Sequence, residues 1–307
     1  MITKLRVVML LLVAWSSTDA RAEKPNEFRA RFDTVAEAGD DAEIDRIAAA
    51  WKAADPKDPQ VYVSLANYYF RRARTGSIQV STKPPEEGDL AITNPDTGEV
   101  VGSLGPLAVP IDPALGARAV AALTEATRRF PRRMDIWFGR AHIQQEMSDF
   151  EGQCATLSAA FAYAKRDPKK LQWIEGAPLE GDPERVLPEI AQGYLAHYYE
   201  LETPEGDERF LHLASLIAAA FPRHAYPVNS IGLYYAAKED WEQALPYFEK
   251  AHALDPQDLL IVMNLGVLHA KRHDVAKARP YLETVIGSPS ADPQMREDAR
   301  RRLAELE

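Results

Sequence analysis

The chain has a single cysteine, Cys154, among 307 residues. One thiol cannot close an internal disulfide, hold a thiolate zinc knot or form a CxxC redox pair. Basic residues are in deficit, with Lys plus Arg at 36 against Asp plus Glu at 46, a formal charge of −10. A chain of that sign lacks the cationic footprint that binds nucleic acid through its phosphates. The apolar run at residues 7–15 (VVMLLLVAW) is nine residues long, far short of the roughly 20 that cross a bilayer as a helix. HExxH, GxSxG, P-loop, GxGxxG and EF-hand patterns are all missing, so no motif points to catalysis or to a bound cofactor or metal. What remains is 46% apolar and 27% charged residues, ordinary for a chain that folds and buries a core. At about 100–200 residues per domain, the length fits two domains or one elongated array.

The N-terminus reads as an address. Lys4 and Arg6 precede the apolar run, and Ala20 and Ala22 flank Arg21 in an A-x-A pattern. That is a secretory signal over residues 1–22, cut before Glu23. The short basic region is bacterial in style, so export to the periplasm or beyond is expected. A retained anchor is the alternative. No cysteine follows the run, which excludes a lipoprotein anchor. Cleavage removes three basic residues and one acidic residue, taking the charge from −10 to −12.

The remainder, 23–307, keeps a period. In residues 225–258, Gly232, Tyr235, Trp241, Ala244, Phe248, Ala251 and Pro256 fall at positions 8, 11, 17, 20, 24, 27 and 32 of a 34-residue unit. Small residues at 8, 20 and 27 let two helices approach. Large ones at 4, 11, 17 and 24 fill the space between them, and proline stops the second helix. This pattern resembles the tetratricopeptide repeat (TPR), whose unit is two antiparallel helices, A and B. The register sets units starting near 25, 59, 134, 189, 225 and 259, with a covering helix at 293–307. The resemblance implies an all-α TPR solenoid. Two insertions interrupt it. Residues 75–112 switch to Gly, Pro, Thr and Val, and Asn94–Gly98 lies between β-branched runs, the signal of a β-hairpin. Residues 168–188 read as an inter-repeat linker.

The TPR family presents helix-A positions 2, 5, 9, 12 and 13 to a concave groove. Carried over, position 9 gives Asp33, Asn67, His142, His197, Leu233 and Val267. Position 5 gives Arg29, Val63, Phe138, Gly193, Asn229 and Met263, and position 2 gives Asn26, Gln60, Asp135, Ile190, Tyr226 and Leu260. The groove grades from polar to apolar along the chain. The expected site is therefore a partner-binding groove of Asn67, Phe70, Arg71, Phe138, His142, His197, Tyr226, Asn229, Leu233 and Met263. It would take a protein or peptide segment, with no catalytic residue, metal or cofactor. Asn264 matches one asparagine of the family's carboxylate clamp, but Asn229 and Leu233 stand where that clamp wants lysine and asparagine. Cys154 reads as structural, and Arg128, Arg129, Arg132 and Arg133 as partners of nearby carboxylates or helix ends. Two alternatives stay open: a self-associating envelope scaffold, for which a homo-oligomer is natural, and a metal-dependent enzyme using His142 and His197.

Overall fold

The computed structural model describes residues 27–74, 79–81, 85, 90–94, 97–105 and 111–306. The expected signal segment, the repeat start near 25 and Asn26 lie outside these residues, as do parts of the 75–112 insertion. The chain divides into two compact units, one reaching residue 163 and including 169–178, the other holding 164–168 and everything from 179 onward.

The first unit carries α1 (Glu27–Ala38), α2 (Asp41–Ala54), α3 (Gln60–Ala73), α4 (Pro113–Arg129), α5 (Met134–Glu146) and most of α6 (Phe150–Arg166). The second carries α7 (Pro183–Glu200), α8 (Pro204–Ala220), α9 (Ala225–Ala237), α10 (Trp241–Leu254), α11 (Leu259–Lys271), α12 (Val275–Gly287) and α13 (Pro293–Ala304). In the second unit each helix packs on the next in chain order from α7 to α13. The architecture is the expected one of all-α helical hairpins with a small β insertion. Within each unit, local contacts leave each hairpin leaning mainly on its neighbours.

Packing explains the residue pattern. Ala244, Ala251 and Ala278 are buried, and so are Phe248 and Leu282. The Phe248 ring lies so close to Gly232 that a Cβ there would sit 2.6 Å from its Cδ1. A Cβ on Gly266 would sit 2.9 Å from a Leu282 methyl. Glycine at position 8 is thus a demand of close approach. Burying a ring such as Phe248 stabilises by about 1.5–3 kcal/mol. In the first unit Tyr68 and Tyr69 occupy positions 10 and 11. Both rings are buried, and their hydroxyls donate to Asp41 and Asp45 of α2 at 2.6 Å each.

The turn from helix A to helix B has its own rule. Gly39, Ser148, Glu202, Glu239 and His273 all take a left-handed backbone, with φ from 51° to 73°. The next residue caps helix B through its side chain, as in Asp40 to the Glu43 amide, Asp149 to Gly152, Thr203 to Gly206, Asp240 to Gln243 and Asp274 to Lys277. A left-handed residue reverses the chain, and the carboxylate or hydroxyl satisfies a helix N-terminal N–H.

Between α3 and α4 the chain leaves at Arg74 and returns at Ile111, which form an isolated β-bridge. The Asp112 amide donates to the Ala73 carbonyl at 2.8 Å. The insertion so closed forms a sheet of β1 (Gln79–Ser81), β2 (Leu90–Thr93) and β3 (Val100–Gly105), in the order β1-β3-β2 and antiparallel throughout. The β2–β3 turn is held by Gly98 N–H to Asn94 O, with Gly98 at φ 71°. The 168–188 linker contains two 3-10 turns, Pro168–Lys170 and Ile174–Gly176. α7 begins at Pro183, ahead of the start near 189 that the repeat register suggests.

Candidate partner-binding faces

The buried and unburied residues of each helix A separate into stripes. On α3 the open stripe is Gln60, Val63, Ser64, Asn67, Phe70 and Arg71, which is largely polar. Phe70 is half-buried. Its ring meets His142 edge-on at 5.9 Å, and the Arg74 guanidinium lies 5.7 Å from its centroid. Arg74 also pairs with Glu146 at 3.7 Å. Arg71 is exposed, and with Arg29 it favours the charged form of Asp33. Burial outweighs both and holds the pKa of that carboxyl above its ordinary value.

Phe138 departs from expectation. It is 2% exposed, between Phe161 at 6.3 Å and Trp173 at 5.9 Å. Trp173 reaches it from the 168–188 linker, so Phe138 is core and offers no surface to a partner. Arg133 and Arg129 behave as the composition implies. Arg133 makes a bidentate pair with Asp135 at 2.8 and 2.7 Å, and Arg129 meets Glu125 at 2.9 Å. Cys154 is buried, and burial alone pushes its thiol up to about 11. That is a structural thiol, not a reactive one.

In the second unit the open stripe changes character. On α11 it is Leu260, Met263, Asn264, Val267 and Ala270, ending at Lys271. On α9 it starts at Tyr226 and resumes at Leu233 and Ala236. Leu260 is 45% exposed. A helix that is apolar all round is normally enclosed, yet α11 leaves this side open. Met263 is partly covered by the cluster that includes Ala299 of α13, and Leu233 rests on the Phe248 cluster. Asn229 is 3% exposed and accepts from the Asn264 amide at 2.9 Å. Asn229 is therefore a buried strut between α9 and α11, not a contact residue, and it occupies the one clamp-like asparagine. On α7, His197 is half-buried against Tyr198, with ring centroids 5.2 Å apart.

The start of α9 is acidic. Tyr226 is half-buried, and burial, a hydrogen bond with Asp258, and the nearby charges of Asp258, Glu189 and Asp255 push its hydroxyl up to about 12. The His224 ring stands 5.2 Å from the Tyr226 ring, and its Nδ1 accepts from the Tyr226 amide at 3.3 Å. Burial holds that imidazole below its usual value, against the pull of Glu189. Among the described residues no group of three or more His, Cys, Asp or Glu side chains is placed to hold a metal ion. No described helix is long and apolar enough to cross a membrane.

A family model described as tetratricopeptide repeat matches residues 235–303, from the end of α9 through α13. Residues 235–303 thus carry tetratricopeptide repeats. The class is one of protein-interaction and scaffold modules, whose members bind proteins or peptides. No curated protein sequence matches. Among solved structures this chain is similar to a thermophilic TPR protein of Thermus thermophilus, at 18% identity over 62% of this chain and 92% of that one, TM-score 0.36. It is similar to PilF of Pseudomonas aeruginosa, at 15% identity over 63% and 82%, TM-score 0.37. It is also similar to Acl4, an assembly chaperone of RpL4, at 14% identity over 92% and 98%, TM-score 0.41.

The left-handed residues and their Asp or Thr caps are what reading for a groove missed in these repeats. The signal was present as Gly39-Asp40, Ser148-Asp149, Glu202-Thr203, Glu239-Asp240 and His273-Asp274. Four of the five turn residues are not glycine, so no glycine marked the place.

Proposed function

We propose that this TPR protein is an exported binding scaffold that takes a peptide or protein segment along its helix-A stripes. Binding, not catalysis, is its work. The observation that carries the reading is the open apolar stripe of α11, with Leu260 at 45% exposure beside Ile261 and Val262, which are buried. An uncovered apolar stripe on a soluble repeat is the usual mark of a docking surface. In the first unit, taken by itself, the open residues Asn67, Arg71 and His142 are polar.

The test is co-purification from native cells of the wild-type chain and a Leu233→Glu, Leu260→Glu variant, with circular dichroism to check the fold. Loss of partners from a folded variant supports the reading; an unchanged set of partners removes it. Export rests on Lys4, Arg6, residues 7–15 and the Ala20-Arg21-Ala22 site. N-terminal sequencing of the mature protein should begin at Glu23. A chain still starting at Met1 overturns export by cleavage.

A further inference from the structure

We infer that a histidine–tyrosine joint beneath the stripe of α9 and α11 makes that stripe acid-sensitive: protonating His269 unseats the Tyr281 ring, shifts Leu233 and Met263, and releases a segment held at neutral pH. This rests on the groove reading above and adds its regulation.

Tyr281 of α12 is met by two imidazoles, one from each of the two helices before it. His269 of α11 stacks on its ring, with centroids 5.9 Å apart and planes 2° from parallel. His252 of α10 meets the same ring edge-on at 5.7 Å and 86°. His269 is 4% exposed, and the buried Nδ1 of His252 has no hydrogen-bond partner among the described residues. Tyr281 also packs on both apolar clusters beneath the stripe. Leu233 rests on the cluster of Phe248, Leu265 and Leu268, and Met263 on that of Val262, Leu282 and Val285. A change in the seating of this one ring thus reaches two stripe residues through direct packing.

The preceding repeat has the same joint without the imidazole. There positions 11 and 23 are Tyr235 and Tyr247, stacked at 5.6 Å and 15°. At the same two positions the next repeat has His269 and Tyr281. A phenol that stays neutral gives way to a ring that takes a proton near about pH 6.5 in water. The groups acting on His269 come from the helices around it. Burial weighs most and holds the imidazole below its ordinary value; Asp274 of the hairpin turn and Glu249 of α10 favour the proton, and Arg272 and Lys277 oppose it. Asp274 can pair closely with an imidazolium only by moving. Its carboxylate stands 3.9 Å from Nδ1, beyond a hydrogen bond. It already caps α12 by accepting from the Lys277 amide at 3.3 Å, and it pairs with Lys277 Nζ at 3.5 Å. A proton on His269 therefore leaves a buried cation without a close partner, or draws Asp274 off its cap. Either outcome disturbs the joint.

The test follows histidine-ring and methyl signals by nuclear magnetic resonance in the purified full-length protein as processed by its host, from about pH 7.5 to about pH 5. The Leu233 and Met263 methyl signals are expected to move with the His269 ring while circular dichroism stays helical. His269→Tyr, which restores the rings of the preceding repeat, should remove that movement. A labelled helical peptide of leucine, alanine, serine and glutamine, with blocked ends and no titratable side chain, reads release by fluorescence anisotropy. It should bind the wild type about fivefold more weakly at the acid end and His269→Tyr equally at both ends. Stationary methyl signals in folded wild type overturn the joint, whether or not His269→Tyr folds. The same movement in His269→Tyr puts the proton elsewhere and also overturns it. Loss of helix at about pH 5 makes the response unfolding and does the same. Peptide binding that is equal at both ends of the range overturns release and leaves the groove reading intact. Binding at neither end overturns release as well; the groove reading falls with it only if partner recovery is also insensitive to Leu233→Glu, Leu260→Glu.

Discussion

Gly232 is a position where one added carbon has nowhere to go. A Cβ would press on Cδ1 and Cε1 of Phe248 at 2.6 and 2.7 Å, and that ring is enclosed. Gly232→Ala should therefore destabilise by about 1–3 kcal/mol, as overpacking does. Urea denaturation reads it, and Phe248→Leu in the same background should recover part of the loss. His269 sets a second expectation. It is buried, stacked on Tyr281 at 5.9 Å and 2°, with Nδ1 3.9 Å from Asp274. Burial keeps its pKa below the ordinary value although Asp274 and Glu249 favour the proton; Arg272 and Lys277 oppose it. The unfolded imidazole takes a proton near about 6.5, whereas the folded one resists. Its contribution is present above that value and is lost as pH falls through and below it. The melting temperature should drop between about pH 7 and about pH 5, less so in His269→Gln. An unchanged slope in His269→Gln contradicts this account.

At the scale of the element, the hairpin turns separate what could be read from what could not. Small residues at 8, 20 and 27 announced close helices, and Ala244, Ala251, Ala278 and Gly232 fill those roles because a 34-residue period is a statement about local packing. The left-handed residue did not announce itself, since Glu239 and His273 hold a conformation that glycine holds at Gly39. An L-residue there costs about 1–2 kcal/mol. Glu239→Gly should leave stability unchanged or raise it by up to about 1 kcal/mol after glycine's entropy is counted, whereas Gly39→Ala should lower it. A marked loss in Glu239→Gly contradicts the strain. Phe138 was illegible for another reason. Its repeat position pointed to the groove, but Trp173 arrives from a linker outside the repeat and closes over it. The β insertion was visible in composition, and its base is closed by Arg74, Ile111, Ala73 and Asp112. Replacing residues 75–110 by a short glycine-serine link should thus leave the α3–α4 hairpin folded, with little change in helical circular dichroism. Loss of helix content shows instead that the sheet supports it.

For the whole molecule, one surface property carries the proposed function. α3 of the first unit shows mainly polar side chains on its open stripe, and α9 and α11 of the second show mainly apolar ones. The repeat register placed these residues, but exposure decided which of them can touch a partner. Leu260 and Leu233 can, while Asn229 and Phe138 cannot. The most direct measurement places a photoreactive phenylalanine analogue at Leu260 and, separately, at the exposed helix-B residue Glu249. Irradiation in the native cell should give one discrete crosslinked species from Leu260, mapping to a continuous segment of the partner, and none from Glu249. Equal crosslinking at both positions, or none at Leu260 in folded protein, contradicts the groove as the binding surface.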